Sequence, residues 1–183
     1  MKQKYFDIRK FDEYKEDNRR EVKKAKGGLP LSLWDSYSAL ANSNGGVILL
    51  GVLEREDGSW YTTGLKKDDT RKLIKNFWDT INDRKKVSIN LLTDKDVEPY
   101  EVGDDLILVI TVPMARREDK PVYLNDDMFG HTFRRNSEGD YHCTRAQVKV
   151  PFKTVGGTRI DDTPVHKALR EALANCLMNR EGS

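Results

Sequence analysis

Apolar residues recur at a spacing of three to four in two separate stretches of the chain, which is the pattern of an amphipathic helix. The first stretch predicts a helix that is capped by Ser32 and ends near Asn42, with the apolar face Leu33, Trp34, Tyr37, Leu40 and Ala41. The second predicts a helix that begins at Asp68 or Asp69 and ends near Asn82, with the face Leu73, Ile74, Phe77, Trp78 and Ile81. Each face needs an apolar partner surface to cover it.

Short apolar runs rich in β-branched residues predict the strands of a sheet. Residues 47–52 and 105–112 have the pattern of buried strands, and residues 60–65 are expected to return as a hairpin partner of the first after the turn at 54–58. Further strand candidates are residues 87–92, 121–124 and 131–135. Because strands and helices do not alternate regularly, we expect an α+β fold with a mixed, mainly antiparallel sheet and the two amphipathic helices packed on it.

Length and composition narrow the class of protein. The chain has 183 residues, of which 37% are hydrophobic and 34% are charged, so we expect one domain with a core under a highly charged surface. No apolar run approaches the roughly 20 residues of a membrane-spanning helix, and the N-terminus has no apolar leader segment. The two cysteines, Cys143 and Cys176, cannot form a disulfide framework, and with the three histidines they lack the paired spacing of a zinc site. These features favour a soluble cytoplasmic protein without a metal centre.

The net charge of +2 conceals an uneven distribution of charge. Residues 1–30 contain ten Lys or Arg and six Asp or Glu, and this segment is expected to hold one short helix or strand. Residues 31–113 contain ten basic and fourteen acidic residues. Basic residues that folding brings together can bind phosphates, whereas scattered ones form an ordinary solvated surface. The candidates for phosphate contacts are Lys23, Lys24, Lys26, Arg116, Arg117, Arg134 and Arg135.

The turn between the first helix and the strand at 47–52 is a second candidate for ligand binding. It consists of Asn42, Ser43, Asn44, Gly45 and Gly46. Glycines let a backbone approach a phosphate, and free N–H groups in such a turn bind anions. The alternative is that the glycines only allow a tight connection from helix to strand. The aromatic residues near the arginines in sequence, which either stack on unpaired bases or fill the core, are Tyr123, Phe133 and Tyr141.

Many phrases along residues 15–148 together resemble the Schlafen/AlbA-type DNA-binding domain. They include Glu21-Val22-Lys23, Leu29-Pro30, Ser38-Ala39-Leu40-Ala41-Asn42 and Gly45-Gly46-Val47-Ile48-Leu49-Leu50-Gly51-Val52. The similarity continues through Lys86-Val87-Ser88-Ile89-Asn90, Lys120-Pro121-Val122-Tyr123-Leu124 and Thr132-Phe133-Arg134-Arg135-Asn136. The resemblance is specific because the order of these separate phrases is matched. It implies the nucleic-acid-binding module of a bacterial regulator, whose relatives are described as transcriptional regulators or RecG-like helicase-related proteins.

The resemblance implies DNA as the partner, with RNA as a second nucleic acid to test, and neither an enzymatic activity nor a cofactor. The alternative is a metal-dependent nuclease, because some Schlafen-type relatives cut RNA with two glutamates, spaced as Glu16 and Glu21 are, and a later aspartate. Leu53 stands at the third position here, so Glu54 or Asp57 would have to supply that carboxylate. Converging carboxylates would hold Mg²⁺ or Mn²⁺. A protein-interaction or oligomerisation module is the third interpretation.

Residues 149–183 differ in pattern from the binding domain predicted at 1–148. A helix-start signal precedes an apolar face there, so we expect a C-terminal helix. Its face either packs on the sheet as a native C-terminal element or favours a homodimer. Its sequence resembles the first helix of a GHKL-type ATPase-like domain, in which Glu171 would be the general base and Asn175 the Mg²⁺ ligand. The remainder of such a domain does not follow, so we expect a truncated or internally deleted form that does not bind ATP by itself.

Overall fold

The computed structural model describes residues 5–137 and 139–148. Within these residues the strands are β1 (Arg20–Lys23), β2 (Gly46–Leu50), β3 (Val52–Glu54), β4 (Trp60–Thr62), β5 (Val97–Val102), β6 (Asp105–Val112), β7 (Phe133–Asn136) and β8 (Gly139–His142). The α-helices are α1 (Ser32–Asn42) and α2 (Lys67–Ile81). Short 3₁₀ helices span Ile8–Glu13, Asp94–Asp96 and Arg117–Asp119.

The central sheet has the strand order β1-β2-β6-β5. Strands β1 and β2 run parallel and are connected through α1, whereas β6 is antiparallel to both of its neighbours. The hairpins β3–β4 and β7–β8 form separate two-stranded sheets. The described residues therefore have an α+β fold with a mixed, mainly antiparallel sheet, which confirms the predicted fold class. None of the described helices is both long enough and apolar enough to cross a membrane.

Strand β2 is buried on both faces, which explains why the whole strand is apolar. On one face, Ile48 and Leu50 belong to the hydrophobic cluster that the two α-helices build with the sheet. On the other face, Val47 and Leu49 belong to a second cluster, which includes Phe11 of the N-terminal segment. The sheet is thus covered by helices on one side and by the N-terminal segment on the other.

The segments with the clearest periodicity, α1, α2 and β6, adopt the predicted structures. The predicted hairpin is shifted, because β4 pairs with β3, whereas the buried strand β2 pairs with β1 and β6. The predicted cap of α1 is wrong, because Ser32 is already helical and Leu31 at the cap position makes no side-chain hydrogen bond. At α2 the carboxylate of Asp69 accepts a hydrogen bond from the Lys66 amide at 3.1 Å. Gly51 divides the strand predicted at 47–52, since its φ is +88° and a Cβ atom there would lie 2.5 Å from Cδ1 of Leu65.

Residues 87–92 and 121–124 do not form the predicted strands, and only an isolated bridge joins Val87 to Leu124. In residues 87–92, the buried hydroxyl of Tyr37 binds two backbone groups that a neighbouring strand would otherwise bind. It donates to the Ile89 carbonyl oxygen at 3.0 Å and accepts from the Leu91 amide at 3.0 Å. The predicted C-terminal helix lies outside the described residues.

Candidate nucleic-acid interface

The last two turns of α1 hold two other segments of the chain through polar side chains. The Ser38 hydroxyl donates to the Val122 carbonyl oxygen at 2.7 Å and accepts from the Phe133 amide at 3.1 Å. The Asn42 side chain donates to the carbonyl oxygens of Val122 and Phe133, at 2.8 and 2.9 Å. Its oxygen also accepts from the Val122 amide at 2.8 Å. These bonds engage the Asn42 side chain within the protein, so it serves the fold rather than a phosphate.

The glycine turn that follows α1 is closely packed. The φ of Gly45 is +68°, and a Cβ atom there would lie 2.8 Å from the Met114 nitrogen and from the Val112 carbonyl oxygen. A Cβ atom at Gly46 would overlap the carbonyl oxygen of Arg19. The Gly45 amide donates to the Leu40 carbonyl oxygen at 2.9 Å. The turn therefore has a structural role, which corrects the expectation that Gly45 and Gly46 lie open to a phosphate; Asn44 is exposed.

The side chains of Arg134 and Arg135 point to opposite faces of β7, because successive residues of a strand alternate. Arg135 points inward, and its side chain is only 1% exposed. Its Nη1 atom lies 2.6 Å from Oε2 of Glu21 and 2.8 Å from Oδ1 of Asp140. Its Nη2 atom donates to the Asp17 carbonyl oxygen at 2.9 Å. Arg135 was expected to contact phosphate, but it is a buried structural cation.

Lys23 is also turned toward the protein. Its side chain is 10% exposed, and its Nζ atom lies 2.9 Å from Oε1 of Glu21. The carboxylate of Glu21 therefore binds one cation with each oxygen, Lys23 with one and Arg135 with the other. Lys23 is consequently engaged in the same buried ion network, whereas its neighbour Lys24 is exposed.

The three glutamates of the nuclease alternative do lie near one another. The carboxylate of Glu54 accepts from the Glu16 amide at 2.9 Å and from the Trp60 indole at 3.2 Å. Glu16 itself accepts from the Val22 amide at 2.8 Å. Burial raises the pKa of Glu16, the Val22 hydrogen bond opposes this change, and the nearby charges of Glu21 and Glu54 add to it.

These glutamates do not have the character of a metal site. The contacts of Glu16 and Glu54 are hydrogen bonds from amide and indole groups, and Glu21 is neutralised by Lys23 and Arg135. In the part of the chain that the structure describes, no group of three or more His, Cys, Asp or Glu side chains is arranged to hold a metal ion. The residues present therefore do not fit Mg²⁺ or Mn²⁺, and Asp57 is exposed on the β3–β4 turn.

The remaining basic candidates are at the surface. Arg134 and Arg117 are exposed, and Arg116 has a side chain that is 79% exposed and lies 3.5 Å from Glu118. Within residues 5–137 and 139–148, ion pairs involve Arg116 and Arg135 but neither Arg117 nor Arg134. Tyr141 lies opposite Arg134 in the hairpin and is 55% exposed. No described residue forms an ion pair with the guanidinium groups of Arg117 and Arg134, so both can bind an anion.

Both exposed arginine segments are attached to the same end of α1. The Ala115 amide donates to the Ala41 carbonyl oxygen at 2.8 Å. The Arg135 amide donates to the Ser43 hydroxyl at 2.9 Å. Arg116 and Arg117 follow the anchor Ala115 by one and two positions, and Arg134 precedes the anchor Arg135 by one position. The segments that carry Arg116, Arg117 and Arg134 are therefore anchored at the same end of α1.

A groove of about 700 Å³ lies along the first turns of α1 and was not predicted from the sequence. Residues from α1, α2 and the β7–β8 hairpin line it, among them Trp34, Asp35, Phe133 and His142. The rings of Phe133 and His142 are 4.3 Å apart between centroids. Burial and the charge of Asp140 raise the pKa of Asp35. Only the fold creates this groove, because its lining comes from segments far apart in sequence.

Two solved structures resemble the fold. The N-terminal domain of a protein described as ATP-dependent DNA helicase RecG-related, from Nitrosomonas europaea, is 24% identical with a TM-score of 0.53, and the match covers 74% of this chain and 90% of that domain. The DIP2311 protein from Corynebacterium diphtheriae is 20% identical with a TM-score of 0.47, and the match covers 82% of this chain and 32% of that one. A comparison with curated proteins gave no match.

The comparison with protein families gives a clear result. The model of the family described as Schlafen, AlbA_2 matches residues 10–144, which is most of the chain. The matched range includes both α-helices, the whole central sheet and the β7–β8 hairpin. The chain therefore belongs to the Schlafen AlbA_2 family.

Proposed function

We propose that this chain is the DNA-binding module of a bacterial transcriptional regulator. The observation that carries the proposal is the exposed guanidinium of Arg134, which has no ion-pair partner among the described residues. Its strand is anchored to the same end of α1 as the segment that bears Arg116 and Arg117. Guanidinium groups match phosphate oxygens, and neutralising phosphates provides most of a sequence-independent affinity for DNA. The family and the helicase-related title of the Nitrosomonas europaea protein support this assignment.

The proposed contacts come from exposed side chains, not from the glycine turn. Arg134 and Arg117 are the main phosphate ligands, and Arg116 joins them because its ion pairs are long and solvent-exposed. Asn44 is exposed and is assigned to the periphery of the same surface. Lys24 is exposed too, but it lies at the other end of β1, where its carbonyl oxygen accepts from the Thr63 hydroxyl at 3.0 Å. Arg135 acts indirectly, because its ion pair with Glu21 connects the β7–β8 hairpin to β1. Lys23 acts indirectly as well, because it pairs with the other oxygen of Glu21.

Fluorescence polarisation with a labelled DNA duplex, titrated across salt concentrations, tests the proposal. We expect binding that weakens with salt, and we expect Arg134→Ala and Arg117→Ala each to reduce the affinity and to lower the salt slope by about 1. Lys67→Ala is the matched control, because Lys67 is exposed beside Lys66, which binds the Asp104 carbonyl oxygen at the β5–β6 turn. Equal losses in all three variants, or none, would contradict the assignment.

The same assay separates the other interpretations. A labelled RNA of equal length shows whether RNA competes, and a gel of the recovered probe with Mg²⁺ shows whether it is cut. Cleavage would support the nuclease alternative against the observation that Glu16, Glu21 and Glu54 do not fit a metal. Self-association that is insensitive to salt, without binding to any probe, would favour the oligomerisation module.

A further inference from the structure

The outer face of the β7–β8 hairpin combines an aromatic ring with a cation. Tyr141 and Arg134 lie directly opposite each other in the antiparallel register. Tyr141 is 55% exposed and Arg134 is exposed. The Cβ atoms of directly opposed residues are about 4.5–5.5 Å apart, so a ligand at this position contacts both side chains at once.

Gly139 determines how the ring of Tyr141 lies on the hairpin. These two residues are two positions apart on β8, and they share a face of the strand. A Cβ atom at Gly139 would lie 2.5 Å from Cε2 and 2.8 Å from Cζ of Tyr141. The ring therefore occupies the space that a side chain at position 139 would fill. One side of the ring is against the backbone, and the exposed side is free to receive another planar group.

The charge of this outer face suits a polyanion. Asp140, the acidic residue within the described hairpin strands, points inward, where its carboxylate binds Arg135 at 2.8 Å and the Ser36 hydroxyl at 2.7 Å. The outward residues on β7 are Arg134 and Asn136, which are both exposed. An exposed ring beside an uncompensated guanidinium matches a base that is attached to a phosphate.

We propose that the outer face of this hairpin binds single-stranded DNA, with one unpaired base stacked on Tyr141 and an adjacent phosphate bound by Arg134. The bases of a duplex are already stacked on each other, so their faces are closed to a ring on a protein surface. The exposed face of an unpaired base is open to it. This inference rests on the proposed DNA-binding function and specifies the form of DNA that the surface selects.

The test compares three labelled probes: a short thymidine oligonucleotide, an abasic oligomer with the same number of phosphates, and a duplex of equal length. We expect wild-type protein to bind the thymidine oligonucleotide about 5- to 160-fold more tightly than the abasic oligomer, the range given by one stacked base. Tyr141→Ala should abolish this preference and leave the affinity for the abasic oligomer unchanged. Tyr141→Phe should retain the preference, because it keeps the ring.

Two more variants sharpen the result. Gly139→Ala keeps Tyr141 but displaces its ring, so it should reduce the preference without removing any ligand group. Tyr61→Ala is the matched control, since it removes the ring of another arginine–tyrosine pair, in which the Arg55 guanidinium carbon lies 4.6 Å from the ring centroid, on the β3–β4 hairpin. It should leave the preference unchanged.

Equal affinity of the wild type for the thymidine and abasic oligomers would overturn the inference. An equal loss of affinity for both oligomers in Tyr141→Ala would overturn it as well. Neither outcome would affect the proposed function, which requires only salt-dependent binding to phosphates. Failure of the proposed function has a different signature, namely no salt-dependent binding of any of the three probes. A stronger preference for a uridine oligonucleotide than for the thymidine one would also contradict the assignment to DNA.

Discussion

Glu21 and Arg135 form a buried ion pair, with 2.6 Å between Oε2 of the glutamate and Nη1 of the arginine. Their side chains are 14% and 1% exposed. The pair joins the β7–β8 hairpin to the edge strand of the central sheet, so it fixes the position of the hairpin that carries Arg134. Arg135, which the sequence predicts as a phosphate ligand, therefore stabilises the position of the binding surface and is not itself exposed on it.

Removing one member of this pair should destabilise the protein. Arg135→Ala leaves Glu21 and Asp140 buried without their shared cation, and we expect it to lower the free energy of unfolding by about 3–5 kcal/mol. Glu21→Gln should cost less, about 1–3 kcal/mol, because Asp140 still neutralises Arg135. Urea denaturation followed by circular dichroism measures both. Arg134→Ala should change stability by no more than about 0.5 kcal/mol, and a large loss in that control would contradict the division of roles.

The amide of Asn42 should matter for stability more than for affinity. Asn42→Asp keeps an acceptor for the Val122 amide but loses the donors to the Val122 and Phe133 carbonyl oxygens. We expect a loss of about 2–4 kcal/mol in the free energy of unfolding, since the Phe133 carbonyl oxygen loses its side-chain donor, the Val122 carbonyl oxygen keeps only Ser38, and a charge is introduced. Hydrogen exchange should also accelerate at the Val122 and Phe133 amides. Unchanged stability with weaker DNA binding would instead assign Asn42 to the ligand.

A methyl group at Gly46 should separate β1 from β2. The Cβ atom of Gly46→Ala would overlap the Arg19 carbonyl oxygen, which accepts the Val47 amide at 2.7 Å. We expect the free energy of unfolding to fall by about 1–3 kcal/mol through this overpacking. Gly27→Ala tests a different effect, because no atom lies within 4 Å of the methyl added there and any loss reflects the φ of +107°, a strain that Gly46 does not share. Unchanged stability in Gly46→Ala would contradict the packing explanation.

The stability of the protein should carry a pH-dependent contribution from Glu16. Burial raises the pKa of its carboxyl above the ordinary value, so the folded state holds a proton that the unfolded state has already lost. This contribution is present below the unfolded pKa of about 4.3 and is lost as the pH rises through the higher folded pKa. Glu16→Gln should therefore gain stability relative to wild type as the pH rises from 4 to 7. Urea denaturation of both proteins across this pH range measures the change. A constant difference between their free energies of unfolding would contradict the argument.

Elements whose apolar residues follow one period were predictable from the sequence. The stripes of α1 and α2 follow one period because each helix packs against a single core. The run of β6 is continuously apolar because its residues alternate between the two hydrophobic clusters on either side of the sheet. Strand β1, with the sequence Arg-Glu-Val-Lys, has one buried apolar residue, Val22, so the sequence left open whether this segment is helix or strand. Strand β5 was missed because it contains Pro99 and is mostly exposed at the edge of the sheet.

The roles of the basic residues could be predicted only in part. The sequence identified Arg134 and Arg135 as a pair, but which of them faces the solvent depends on the register of β7 against β8 and on the position of Glu21. The nearness of Glu16, Glu21 and Glu54 followed from family spacing, whereas their hydrogen-bond partners depend on backbone amides that no pattern specifies. The local spacing of apolar residues predicts helices and strands. The environment of a charged side chain depends instead on contacts between segments that are distant in sequence.

The end of α1 has a mechanical consequence for the proposed binding surface. Residues 114–115 and 133–135 are both hydrogen-bonded to the last two turns of this helix, through Ala41, Ser38 and Ser43. The segments that carry Arg117 and Arg134 are therefore attached to the same helix and do not move as two independent loops. Their separation is set before any ligand arrives, so little ordering of the backbone remains to be done on binding, and less conformational entropy is lost in the complex.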